Sequence, residues 1–422
     1  MIRAFLYAFV ILTIPLTALA QESQLDGLRA AARSGPRDYD AQVAYGRALI
    51  DAGRFRQATQ ALTRAARLRR DDPAAQYEPI RVLFAQREHR RARAACRRIA
   101  RAAAESAIAH VCTARAFLAW SRAGRAFEEL ELALQQNPSD YEALLALGDA
   151  HRLRAAVTEA ESAYGRATAA NPQASDPHLG LGQLYAQAHR DADALAALQR
   201  AHALAPHDPD VDLALGRVLE GPEAVTHLRE AVANRPGWAI ATAELGDALL
   251  AVGEAEEAVS TYRAAIQADS HLAHARAGLG QALIASGDLP AAEAALNEAL
   301  ELVPNDGNST MALADVFART ERIEEAYSQY RRAADLNARS PEPLVRAARL
   351  ALQEQRPVLA VGFLQRVLGV HENHAPALKL MGDVMRGRNR TDQARDYYQR
   401  ALQGTGEIDR EAVNGLLQSL GS

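Results

Sequence analysis

The segment Tyr141–Ala174, YEALLALGDAHRLRAAVTEAESAYGRATAANPQA, matches the rest of the chain again and again at a step of 34 residues. A fixed step of that size leaves few folds open, because each copy must bury its apolar face against the next copy. Each copy reads as two amphipathic helices. The first carries Leu144, Leu147, Gly148 and His151; the second carries Ala160, Tyr164 and Ala167 before Pro172 ends it. The spacings of three, four and seven place one apolar face on each helix. Glycine is a poor helix former, so Gly148 inside a helix calls for a close approach of the second helix, with Ala160 as the facing small residue.

The pattern, with its turn near Ala155 and its closing proline, resembles the tetratricopeptide repeat. The resemblance implies an all-α, right-handed superhelical solenoid of helix-turn-helix units. In that register full units start at Tyr39, Pro73, Ala107, Tyr141, Ser175, Pro209, Ala239, Ala273, Gly307, Pro341 and Ala375. A half-repeat precedes them over 21–38, with Leu28 and Ala31 on its apolar face. The array covers 39–408 and a capping helix closes it over 409–422. The small position of the second helix is alanine in every unit, from Ala58 to Ala394. The large position is Leu or Tyr, with Cys96 the exception. Aromatic residues make up only 5% of the chain, so the core must rest on closely packed Ala and Leu.

Two units depart from the pattern. The unit at Pro73 has Ile80 in the glycine column and Pro79 in mid-helix, where a kink or a late start is expected. The unit at Pro209 is four residues short, about one helical turn. Its first helix should stop early, Pro222 should open the second, and local opening should be easiest there.

Met1–Ala20 reads as a secretory signal: a basic start at Arg3, an apolar run over 4–19 and the small-x-small sequence Ala18-Leu19-Ala20. The mature chain is then expected to begin at Gln21 and to be soluble in the periplasm. An exported setting permits a disulfide between Cys96 and Cys112, on adjoining helices of neighbouring units. Nothing points to catalysis or to a cofactor. No nucleophile elbow, phosphate loop or zinc-protease motif is present. The closest histidine pairs, His271/His274 and His371/His374, lack further ligands at metal-binding spacing, so no metal is expected.

Charge is uneven along the chain. Residues 64–101 hold twelve arginines against four carboxylates, a local +8, in a chain whose net charge is -4. The family resemblance implies that the first helices line a concave groove. At one inward position, the ninth of the unit, the first three units carry Arg47, Arg81 and Arg115, with Val43, Tyr77 and Val111 one turn earlier. The expected partner-binding set is therefore Arg47, Tyr77, Arg81, Val111 and Arg115. Tyr77 would be the anchor, the arginines would be exposed charges of little weight in folding, and the partner would be an acidic protein or peptide. The function expected is a non-catalytic protein-interaction scaffold in the bacterial cell envelope, in an assembly or export process such as pilus, polysaccharide or outer-membrane biogenesis. The alternative is direct binding of an anionic polymer, such as an acidic polysaccharide, by the Arg-rich 64–101 region. Nucleic acid is excluded by the lack of interleaved aromatics in an exported chain.

Overall fold

The computed structural model describes residues 16–420, and among them the regular structure is twenty-four helices with no strand. The signal expected over 1–20 lies outside the described residues up to position 15. Positions 16–20 already belong to the first helix, α1 (Leu16–Ser34). The chain divides into two compact units, 1–241 and 242–422. The first holds α2 (Tyr39–Asp51), α3 (Phe55–Leu68), α4 (Pro73–Ala85), α5 (His89–Ala102), α6 (Ala107–Leu118), α7 (Ala123–Gln136), α8 (Tyr141–Leu153), α9 (Val157–Ala170), α10 (Asp176–Gln187), α11 (Asp191–Leu204), α12 (Pro209–Val218) and α13 (Gly221–Asn234). The division falls within α14 (Ala239–Ala251). The second holds α15 (Ala255–Ala268), α16 (Ala273–Ser286), α17 (Leu289–Leu302), α18 (Gly307–Arg319), α19 (Ile323–Leu336), α20 (Glu342–Gln353), α21 (Pro357–Val370), α22 (Ala375–Gly387), α23 (Thr391–Gln403) and α24 (Arg410–Ser419). Each unit is a solenoid of antiparallel helix pairs. No described helix is long and apolar enough to cross a membrane.

Local chemistry sets the repeat. Asp38, Asp72, Ser106, Asp140 and Asp306 each accept a backbone N–H at the start of a first helix, satisfying donors that the helix itself leaves open. The turn to the second helix passes through a left-handed residue at the same place in ten units. Seven of these are not glycine, among them Arg87 (φ 56°) and Ala155 (φ 54°). All eleven alanines of the small position are buried, from Ala58 to Ala394. The close approach at Gly148 has a different partner from the expected Ala160. A Cβ on Gly148 would lie 2.4 Å from the ring of Tyr164, and one on Gly180, in the next unit, 2.5 Å from the same ring. The glycines make room for the large residue of the second helix.

Three local expectations change. Helix α4 runs through Pro79 without a break, held on both sides by the buried Tyr77 and Ile80. Tertiary packing there outweighs the missing N–H. Ile80 and Cys96 belong to one core cluster, so the small Cys96 leaves the volume that the large Ile80 fills. Among the described side chains of α1, Leu25 and Ala32, one heptad apart, are buried, while Ala31 is exposed.

The shortened unit is also not slack. Helix α12 stops at Val218 and Pro222 lies in the first turn of α13, as its length requires, but seven of the ten α12 residues are buried. The first unit of the chain also closes on itself here. Arg235 clasps Asp210 through both nitrogens (3.2 and 2.7 Å) and lies over the Trp238 ring at 4.2 Å. Arg87, in the turn after α4, reaches the same carboxylate at 3.4 Å across 123 residues of sequence. Gly53, in the turn after α2 (φ 66°), sits so near the end of α13 that a Cβ would come 2.7 Å from the Asn234 carbonyl.

Candidate protein-binding surface

The expected arginine row is a ladder of alternating charge. Arg47 on α2 donates to Glu78 on α4 through Nε (3.0 Å) and Nη2 (2.5 Å), and Arg81 Nε lies 3.2 Å from the same carboxylate. Arg81 and Arg115 then each donate to one oxygen of Glu142 on α8. Side-chain exposure is 5% for Glu78 and 10% for Glu142, against 51% for Arg47. Burial alone would raise the Glu142 carboxyl, but the charges of Arg81 and Arg115 outweigh it and hold the pKa at about 2. Burial likewise works against the charge on Arg81, yet Glu142, Tyr77 and Glu78 raise its pKa above the ordinary arginine value.

The ladder changes what these residues can do. Arg81 and Arg115 are not free surface charges, so reversing them would disturb folding as well as binding. Tyr77 and Val111 have no exposed surface at all, and Val43 is buried. The strip one turn before the arginines is core, because it faces the first helix of the neighbouring unit: Val111 packs with Ala114, Ala143 and Ala146. Of the expected set only Arg47 is half exposed. Glu78 and Glu142 were missed, though Glu142 stands at the second position of its unit, which the family register turns inward, 27 residues after Arg115.

The same inward position obeys a rule farther along. Tyr164, Tyr262, Tyr330 and Tyr398 each donate their hydroxyl to an aspartate 15 residues earlier: Asp149 (2.8 Å), Asp247 (2.5 Å), Asp315 (2.6 Å) and Asp383 (2.8 Å). Units with Leu or Cys at the large position never carry Asp at the ninth. A buried phenol needs an acceptor, and this aspartate supplies it. Burial and then the aspartate push all four phenols above the ordinary tyrosine pKa, the aspartate acting first through its charge on Tyr164 and Tyr330 and first through the hydrogen bond on Tyr262 and Tyr398. Tyr164→Phe should cost about 1.5–3 kcal/mol in urea denaturation, the range for a hydrogen bond to a charged acceptor. The double change Tyr164→Leu with Asp149→Gln, which copies the Leu198/Gln183 unit, should be more stable than Tyr164→Leu alone. Equal stabilities would show that the pair is not coupled.

Other arginines, on α3 and α5, point elsewhere. Arg56 and Arg90, Arg64 and Arg98, and Arg67 and Arg101 occupy equivalent positions on α3 and α5, one repeat apart. The three positions are spaced by eight and three, one face of a helix. All six are exposed. None is paired among the described residues, in contrast to the ladder. Cys96 and Cys112 are joined as a disulfide, Cα–Cα 5.3 Å, tying α5 to α6.

Two models of the tetratricopeptide repeat match the sequence, one over 46–107, 157–209 and 213–273, the other over 249–316. The chain is a tetratricopeptide-repeat protein. No curated protein matches it by sequence. By structure it is similar to yeast Tom70 (11% identity, 92% of this chain and 96% of that one, TM-score 0.47). It is also similar to the Pseudomonas aeruginosa pilF protein (20% identity, 50% of this chain and 97% of that one, TM-score 0.42). Tetratricopeptide repeats make it a protein–protein interaction scaffold, and proteins of this fold are generally non-catalytic.

Proposed function

We propose that this protein is an exported scaffold of the bacterial cell envelope that holds an acidic protein partner on the arginine face of α3 and α5. The observation that carries the reading is the contrast between two sets of arginines. Those of the ladder are matched by Glu78 and Glu142, whereas three register-matched pairs on α3 and α5 are exposed and have no carboxylate. Like charges repeated at one position of successive units repel one another, and an acidic partner relieves that repulsion. Export is supported by the signal-like Met1–Ala20 and by the Cys96–Cys112 bridge, a bond that persists in oxidising compartments. Within the groove the contribution falls to Arg47, with Arg81 and Arg115 holding the wall behind it.

Capture from envelope extract on immobilised protein should be strong at low salt and lost at high salt. Changing Arg64, Arg67, Arg98 and Arg101 to Glu should abolish capture and leave melting nearly unchanged, because exposed charges contribute little to folding. Capture that survives this fourfold change would sink the reading. Retention of an acidic polysaccharide in the absence of any protein partner would favour an anionic polymer instead.

A further inference from the structure

Three helices of the shortened unit and its neighbour bring together side chains far apart in sequence. His202 comes from α11, Asp212 from α12 and His227 from α13. The Nδ1 atoms of His202 and His227 lie 3.4 and 3.1 Å from Asp212 Oδ1, and all three donor atoms fall within 4.8 Å of one another. We infer that His202, Asp212 and His227 form a binding site for one divalent transition-metal ion of the zinc class.

The burial of Asp212 is the first argument. It is fully buried, at the fourth position of its unit, where three units bury Leu144, Leu344 and Leu378 and others bury the uncharged Gln42, Thr242 and Thr310. A carboxylate buried there is costly unless its charge is met. Here it is met incompletely: Oδ2 has no hydrogen-bond partner, and His202 Nδ1, though 3.4 Å from Oδ1, makes no hydrogen bond either. A cation between the three side chains meets the buried charge and gives His202 Nδ1 a partner.

Geometry is the second. Zinc bonds of 2.0–2.1 Å at tetrahedral angles place neighbouring donor atoms about 3.3 Å apart. The two histidine–aspartate separations already bracket that value. Imidazole nitrogen with one carboxylate oxygen is a donor set that suits zinc-class ions rather than calcium or magnesium. The half-exposed Glu230, whose Oε2 is 3.9 Å from His227 Nδ1, stands beside the remaining coordination position.

An ordinary histidine–carboxylate pair looks different in this same chain. His110 and Glu129 occupy the two equivalent positions of an earlier unit and make a single contact of 2.7 Å. The residue there corresponding to His202 is Ala100, so no third donor arrives. Among the described residues only the shortened unit assembles three. The ion would staple α11, α12 and α13 where the first helix has lost a turn.

The test uses tag-free full-length protein, with Zn2+ followed by calorimetry and Co2+ by visible absorption. One ion per chain, the intense visible bands of tetrahedral cobalt, and a rise in melting temperature on adding Zn2+ are expected. His227→Gln should weaken Zn2+ binding by more than the ~10–100-fold that changing an outer-sphere partner costs. Asp212→Leu places there the leucine that three other units bury, and so is chosen to preserve the fold. It should melt no lower than metal-free wild type and lose the response to Zn2+. Failure of the wild type to take up an ion overturns the inference, as does undiminished uptake by His227→Gln or Asp212→Leu.

Discussion

Replacing Glu142 by alanine should lower stability by about 3 kcal/mol, more than any single surface charge would. One carboxylate holds two guanidinium groups from two other helices, and its side chain is only 10% exposed. Taking it away leaves Arg81 and Arg115 facing each other without a counter-charge, and the cost of a broken buried pair exceeds the net value of making it. The pH dependence has a definite sign. The folded-state pKa of about 2 lies below the ordinary 4.5, so folding favours the ionised form. This stabilisation is complete above about pH 5 and is lost as the pH falls through 4.5 towards 2. Urea midpoints of wild type and Glu142→Ala should therefore converge in acid. A constant gap between them down to pH 2.5 would count against the ladder as the cause.

Reduction of the Cys96–Cys112 bridge should have the other large effect. The cysteines are 16 residues apart, and closing a loop of that length stabilises the fold by about 3 kcal/mol on chain-entropy grounds. Because a solenoid transmits its contacts between neighbours, the loss should be local. Hydrogen exchange should quicken in α5 and α6 on reduction and stay unchanged in α20 to α23. The same exchange rates in reduced and oxidised protein would show that packing of Cys96 against Ile80 suffices.

What the sequence revealed follows from the range over which each feature acts. The alanine, glycine and leucine columns repeat every 34 residues, so eleven weak signals add up to one strong one, and the helix pairs follow from them. The ladder does not repeat. Glu142 meets Arg81 across 61 residues, and nothing at a step of 34 marks the pairing, since Glu342 stands at the same position of a later unit with Gln281 and Asp315, not arginines, before it. Reading Arg47, Arg81 and Arg115 as one column hid the partner in a different column. The tyrosine–aspartate pairs were legible in principle, since both columns are plain to see and the four Asp units are the four Tyr units. They stayed hidden because an inward aspartate reads as a ligand contact until its hydroxyl donor is placed beside it. Burial of Tyr77 reflects a similar limit: periodicity gives the direction of a side chain but not whether the next unit covers it.

The contacts among Arg87, Asp210, Arg235 and Trp238 bear on how the array has been able to grow. Repeat proteins lengthen by duplicating whole units, and a stack held only by nearest-neighbour contacts tolerates an extra unit anywhere. A bond from the second repeat to the sixth fixes the number of units between them. One more or one fewer would carry Arg87 a full repeat away from Asp210, so a unit gained or lost between residues 87 and 210 breaks this contact. Length variation among descendants of this gene should fall outside that span.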